Sequence, residues 1–211
     1  NEAEGTPIYS TGAKNVHPNV SATMDYASII GGCVSCSTIL GARMSGVTPI
    51  TIMSHSLSLI MGDTVRALQS FDKHTPQDIP RIALVDTHRD ESEEAIATAR
   101  VLKNRLRGIR IDTSSERGGV TVNLVKEVRA RLDLAGFQHV DISISGGLTP
   151  AKIKNFIESK SPVQSFGVGS YIASANSNPF TGDIHEIDDR PIAKRGRIPG
   201  VTINNRLHRI I

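Results

Sequence analysis

The chain has 211 residues, 38% hydrophobic and 21% charged, with a formal net charge of +3. That length and balance suit a soluble protein with one sizeable core, as one domain or one and a fraction. The mild basicity fits an anionic small molecule and is too weak to argue for nucleic acid. Without Trp, and with 4% aromatic residues, the chain offers no stacking platform for single strands; no apolar run reaches the length of a membrane span, and no signal-peptide pattern is visible.

Residues 7–10 read as a short strand, and Thr11-Gly12-Ala13-Lys14-Asn15 as a turn. A helix is expected over 18–30, with Val20, Met24, Ala27 and Ile30 on one face and Gly31-Gly32 stopping it. Cys33 and Cys36 form a Cys-x-x-Cys pair. No second pair or nearby His completes a zinc site, and the small-residue stretch around them is not the helix N-terminus a redox pair needs. A buried strand or turn is the plainer reading, and free thiols suit the cytosol. A short helix is expected over 38–44, closed by Gly46, and a buried strand over 49–53. That strand ends at Ser54-His55-Ser56 and leads into one helix through Leu57, Ile60, Met61, Val65 and Leu68.

The next strand, 81–85, ends in Asp86-Thr87. A helix over 91–106, acidic at its start and basic at its end, matches the macrodipole. Its acidic opening, Asp90, Glu91, Glu93 and Glu94, reads as a solvated helix start rather than a metal cluster. Strand 108–111 ends in Asp112-Thr113-Ser114, and a helix follows over 120–134 with Gly136 as its cap. Strand 140–144 then breaks at Ser145-Gly146-Gly147, and Thr149-Pro150 opens a helix as N-cap and first residue. Strand 164–168 ends in a second glycine turn, Gly167-Val168-Gly169-Ser170.

Strand and helix thus alternate, which argues a parallel α/β arrangement. Beyond Asn176 the pattern dissolves, with a strand pair expected within 183–193 and a basic tail after Lys194. The expected division is a barrel domain over 1–176 and part of an incomplete second domain over 177–211.

The chemistry gathers at strand C-termini, which share one rim in a parallel barrel. Glycine turns there let backbone N–H groups approach a phosphate, and a helix N-terminus adds positive potential. Ser145, Gly146, Gly147, Gly167, Gly169 and Ser170 are the candidate phosphate ligands. His55, Asp86, Arg110 and Asp112 are the candidate catalytic groups; Arg110 and Asp112 lie two residues apart and so share a strand face. Such a rim suits a sugar phosphate or a phosphorylated nucleotide precursor. Each residue also has a plainer reading: His55 beside a helix cap, Asp86 capping a turn, Arg110 and Asp112 as a structural ion pair.

ITIMSHSLSLIMGD, PRIALVDT, IRIDTSSERG, VDISISGGL, FGVGSYIASA and PIAKRG occur in order. With the opening YSTGAKNVHPNVSATMDYASIIGGC, they resemble the nicotinate phosphoribosyltransferases, particularly archaeal-type members. The resemblance spans nearly all of 7–196. It implies the type II phosphoribosyltransferase fold, an irregular (β/α) TIM-like barrel, here as a barrel portion without the family's N-terminal domain. The start at Asn1, without Met, likewise reads as a fragment or processed piece. The activity implied joins nicotinate to 5-phosphoribosyl-1-pyrophosphate (PRPP), giving nicotinate mononucleotide and pyrophosphate, with Mg²⁺ and ATP as co-substrate. The family's phosphorylatable histidine falls on His55, its 5′-phosphate loops on Ser145, Gly146, Gly147, Gly167 and Gly169. Its ribose- and pyrophosphate-side residues fall on Asp86, Arg110 and Asp112.

Thr11 stands where family members carry an aromatic residue for the pyridine ring. Lys14-Asn15 stands for an Arg pair, and Val34-Ser35 for the Asp-Gly of many archaeal-type members. The base side is therefore assigned to Thr11, Lys14 and Ser37. The alternatives are a transferase for another pyridine base, a non-catalytic or regulatory phosphate-binding barrel, or a sugar-phosphate aldolase or isomerase; the last wants a reactive Lys at a strand end, and none stands there. A cytoplasmic homo-oligomer, or a complex with a chain supplying the N-terminal domain, completes the expectation. No nucleic-acid or membrane partner is expected.

Overall fold

Six short strands form one parallel, curled sheet in the order β2-β1-β6-β5-β4-β3. They are β1 (Ile8–Ser10), β2 (Ser35–Cys36), β3 (Arg81–Leu84), β4 (Leu106–Ile111), β5 (Asp141–Ile144) and β6 (Ser165–Val168). The computed structural model describes residues 2–177 and 179–206. By its contacts the chain divides into two units, 1–175 and 176–211. The second contains a small antiparallel hairpin, β7 (Glu186–Ile187) with β8 (Arg190–Pro191); the basic tail expected after Lys194 lies partly outside the described residues.

The sheet register sorts side chains by parity. Ile109, Ile142 and Ala83 fall on one face, with Ile111, Ile144 and Phe166 above them. All are fully buried, within a core that also takes Leu68, Ala99, Val125 and Val128 from the covering helices. The alternate residues, among them Arg110, Ser143, Ser165 and Gly167, line an inner cavity of about 520 Å³. This is a TIM-like half barrel, built as parallel sheets are, with helices covering its outer face.

Most helices follow their local signals. α1 (Pro18–Ile30) starts at proline after His17, α6 (Val122–Leu134) is capped by Thr121, and α7 (Pro150–Glu158) by Thr149. α2 (Ile39–Ser45) ends at Gly46 in the left-handed conformation. A 3₁₀ turn, Gly12–Asn15, occupies the expected turn after β1, and a single helical turn, α8 (Ser170–Ala173), follows β6.

Four expectations are corrected. Residues 49–53 form no strand and join no ladder: the Ile50 amide reaches the Cys36 carbonyl, and the Met53 carbonyl accepts from Arg110. The single helix expected after His55 is two, α3 (His55–Met61) and α4 (Thr64–His74), because Gly62 turns left-handed and Asp63 caps a new start. The helix expected to 106 stops as α5 (Glu91–Leu102), where Lys103 takes a positive φ of 48° and the chain turns into β4. Finally, α1 does not bury its apolar stripe: Val20 and Ile30 are exposed, whereas Asp25 and Ser28 are buried. The Asp25 carboxylate accepts from Ser10 Oγ at 2.7 Å and the Thr38 amide at 2.8 Å, so polar tethering sets that face.

Candidate active site at the strand ends

Asp86 and Asp112 follow the C-terminal ends of β3 and β4, and Arg110 stands near the end of β4. His55 is the first residue of α3 and reaches across to them. Its Nε2 lies 3.6 Å from Asp86 Oδ2 and 3.8 Å from Asp112 Oδ2, ion-pair distances longer than hydrogen bonds. The Arg110 guanidinium is 3.8 Å from Asp112 Oδ2, and donates to the Met53 carbonyl at 2.9 Å and Ser145 Oγ at 3.3 Å. The four candidate catalytic groups therefore form one cluster.

Burial and mutual charge tune this cluster. Facing Asp112, and next the Asp86 charge, raises the His55 pKa against the pull of burial. Burial lifts the Asp86 carboxyl to about 6. Its Oδ1 is buried without a hydrogen-bond partner among the described residues. Burial also pushes Asp112 upward, but His55 and Arg110 outweigh it and hold that carboxyl below its ordinary value. Burial depresses the Arg110 guanidinium. Neighbouring carboxylates thus differ in proton affinity, an arrangement characteristic of sites that handle charge.

The two glycine turns lie beside the cluster but are built differently. Gly146 and Gly147 have φ values of 95° and 57°, a conformation other residues rarely adopt. A Cβ on Gly146 would stand 2.8 Å from Asp112 Oδ1, so this turn seats directly on Asp112. Lys152, on the first turn of α7, donates from Nζ to the Gly147 carbonyl at 3.0 Å. The second turn does not repeat the left-handed backbone. Gly167 lies within β6, and its missing side chain admits Ser145, whose Cβ would be 3.1 Å away. Gly169 makes room for Thr11, whose hydroxyl would come within 3.1 Å of a Cβ there. Ser170 opens α8 and is exposed.

The base-side candidates separate. Thr11 packs on the second turn, its amide donating to the Val168 carbonyl at 2.9 Å. Lys14 is exposed in the 3₁₀ turn, near enough for its charge to act on Asp112. Ser37 donates to Asp25 Oδ2 at 3.3 Å and belongs to the tether behind β2. Among the described residues no hydrogen bond or ion pair joins Ser37 to the His55 cluster.

Sequence reasoning missed several supporting groups. Thr87 Oγ1 lies 3.0 Å from His55 Nδ1. Glu94, expected on a solvated helix start, is 4% exposed and accepts from the amides of Thr87, His88 and Arg89. Glu91 is equally buried and accepts from Thr113 Oγ1 at 2.8 Å. The signal available was the capped acidic helix start itself, read as surface because nothing local marks which carboxylates turn inward.

The family model for the quinolinate phosphoribosyl transferase C-terminal domain matches residues 1–181. A nicotinate phosphoribosyltransferase of Mycobacterium tuberculosis is 30% identical over 180 residues, 84% of this chain and 38% of that protein. One from Bacillus subtilis is 24% identical over 163 residues, covering 76% and 32%. The crystal structure of nicotinate-nucleotide pyrophosphorylase from Pyrococcus furiosus superposes with a TM-score of 0.82 at 42% identity, over 95% of this chain and 51% of that one. The nicotinate phosphoribosyltransferase of Vibrio cholerae, at 16% identity and a TM-score of 0.64 over 90% of this chain and 45% of that one, shares the fold. The chain spans less than half the length of the curated relatives and about half that of the Pyrococcus structure. With its parallel half barrel and glycine turns, it belongs to the quinolinate phosphoribosyl transferase C-terminal domain family, among the nicotinate and quinolinate phosphoribosyltransferase-like proteins.

Proposed function

We propose that this chain carries the phosphoribosyl site of a nicotinate phosphoribosyltransferase, which joins nicotinate to PRPP to give nicotinate mononucleotide and pyrophosphate with ATP as co-substrate. The observation that carries this reading is the seating of the Gly146-Gly147 turn on the cluster of His55, Asp86, Arg110 and Asp112. Exposed turn amides, the start of α7 and Lys152 suit a 5′-phosphate. In this reading Arg110, Asp86 and Asp112 serve the ribose and pyrophosphate side.

Transfer passes through a cationic ribosyl centre as pyrophosphate leaves. The site must hold both phosphate ends and neutralise the leaving group while the pyridine nitrogen lines up behind the anomeric carbon. The carboxylates face that positive centre, and Arg110 faces the departing charge. Lys14 supplies a positive charge for the base's carboxylate, with Thr11 beside it. Among the described residues no group of three or more His, Cys, Asp or Glu side chains is gathered to hold a metal. Mg²⁺ commonly binds through substrate phosphates with few protein ligands, and in this reading it enters with PRPP. His55, with an exposed edge, is the group that takes a phosphoryl from ATP. A cytoplasmic setting and assembly, with a second copy or with a chain supplying an N-terminal domain, belong to the same reading; exposed Ile39, Leu40 and Ile60 support the assembly.

Quinolinate as the base is the second reading, favoured by the description of the matching family model and by the Pyrococcus relative's name. Calorimetry with PRPP, followed by turnover with nicotinate, nicotinamide and quinolinate, separates the two. Gly146→Val should cut PRPP affinity at least tenfold in a folded protein, because the added side chain meets Asp112. Unchanged affinity would overturn the phosphate assignment.

A further inference from the structure

Thr87 stands in the loop between β3 and α5, and its hydroxyl makes the one hydrogen bond found for the His55 imidazole ring among the described residues. We propose that Thr87 is a positioning residue that secures Nδ1 of His55 and so makes Nε2 the nitrogen that accepts a phosphoryl group. This rests on the reading that His55 is phosphorylated.

A hydroxyl suits that task because it can donate or accept by rotating. With the ring proton on Nε2, facing the carboxylates of Asp86 and Asp112, Thr87 donates to Nδ1. With the proton on Nδ1, Thr87 accepts it, and the ring stays in place while Nε2 presents its lone pair. In the transfer that lone pair attacks phosphorus. An N–P bond forms as the P–O bond to the donor's leaving group breaks, and the electron pair departs on that oxygen. The ring loses no proton; it keeps Nδ1–H on Thr87.

The surroundings make this contact stiff. Glu94, 4% exposed, accepts from the Thr87 amide at 3.2 Å, the His88 amide at 3.0 Å and the Arg89 amide at 3.1 Å. Thr64 Oγ1 donates to the same carboxylate at 2.8 Å. Three successive amides thus close around one buried anion, a nest already filled by the protein itself. His88 then ties this loop to the histidine's own helix, its Nε2 lying 3.1 Å from the Ser58 carbonyl in α3. Both partners of the Thr87–His55 contact are therefore fixed from behind.

The test uses potassium phosphoramidate, a histidine phosphorylating agent that needs neither ATP, nor magnesium, nor a base substrate. Wild type and Thr87→Ser should give His55 phosphorylated at Nε2, read by peptide mapping and ³¹P NMR. Thr87→Val, of similar volume but without the hydroxyl, should react at least fivefold more slowly or give a mixture of Nδ1 and Nε2 products. Thr87→Ala replaces it if Thr87→Val does not fold. Wild-type rate and position in the hydroxyl-free variant would overturn the proposal. If wild-type His55 takes no phosphoryl group, the phosphorylation reading fails separately. The ¹⁵N signals of the His55 ring then decide on Thr87 itself: a changed tautomer ratio in Thr87→Val supports its positioning role, and identical ring signals overturn it.

Discussion

On the outer face of the sheet stand Ile109, Ile111, Ile142, Ile144 and Phe166, all sealed from solvent. On the inner face, one residue along each strand, stand Arg110, Ser143, Ser165 and Gly167 around an open cavity. Backbone pairing is shared, so the difference lies in the side chains alone. The outer face gains roughly 1.5–3 kcal/mol for each large side chain withdrawn from water. Apart from Leu84, which pairs with Arg110 and is fully buried, the inner face gains less from burial and keeps polar groups under-solvated, with Asp86 Oδ1 lacking a partner among the described residues. One sheet thus separates stability from chemistry by the period of two along a strand.

The largest expected effect sharpens that contrast. Phe166→Ala removes a fully buried ring that packs 6.4 Å from Phe156, centroid to centroid. It should cost about 3–5 kcal/mol of unfolding free energy. Ser143→Ala, two residues from Ser145 on the inner face, loses one hydroxyl contact with Ser165 Oγ at 2.7 Å. Its cost should stay near 1 kcal/mol or below. Urea unfolding of both variants measures the pair, and equal costs would break the division between faces.

A second effect runs in the opposite direction. The folded Asp86 carboxyl, lifted to about 6 by burial, holds its proton more tightly than the same group in the unfolded chain. Its contribution to stability is therefore least harmful at low pH. The penalty grows as pH rises from about 4 and is complete above the folded pKa. Asp86→Asn should then stabilise the protein at pH 7 by on the order of 2 kcal/mol, allowing for the lost attraction to His55. The gain should vanish below pH of about 4, and transfer activity should fall. Calorimetric melting at the two pH values tests the sign, and destabilisation at pH 7 would show that Asp86 is held by more than it costs to bury.

These contrasts also explain what could be read from the sequence. Helix starts at Thr121, Thr149-Pro150 and Asp90 carry their own caps, and the outer-face isoleucines announce buried strands, so the α/β alternation was legible. Asp86, Arg110 and Asp112 come to one rim because a parallel sheet leaves its strand ends no other place, whereas His55 reaches it from the start of α3, after a stretch that joins no ladder. The stretch 49–53 looked like a strand because it is apolar, but ladder pairing depends on a neighbour that local pattern does not name. Asp25, Glu91 and Glu94 were illegible for the same reason. A buried carboxylate is defined by donors that converge from distant segments, such as Ser10 and Thr38 on Asp25. The second glycine turn was legible as a close approach, whereas the difference in backbone between Gly146 and Gly169 was not.

The smallest effect concerns Lys152, which spans from the first turn of α7 back to the Gly147 carbonyl at 3.0 Å. That bond is exposed, so its worth to folding is small, and Lys152→Ala should change stability by no more than about 0.5 kcal/mol. For ligand binding its place matters more. The bond helps hold the left-handed Gly146-Gly147 turn, and the ammonium adds a positive charge beside the amides and helix start that face a phosphate. Removing it should weaken ribose-5-phosphate binding by roughly three- to fivefold, about 0.6–1 kcal/mol. Salt decides between its two roles. If Lys152 acts by charge, the gap between wild type and Lys152→Ala should narrow as ionic strength rises from about 0.01 to 1 M, where screening shortens from about 30 to 3 Å. If it acts by holding the turn, the gap should persist, and Lys152→Met should bind as poorly as Lys152→Ala at every salt concentration. Titration calorimetry at the two ionic strengths reads the outcome, and identical affinities for all three proteins would place the phosphate away from this turn.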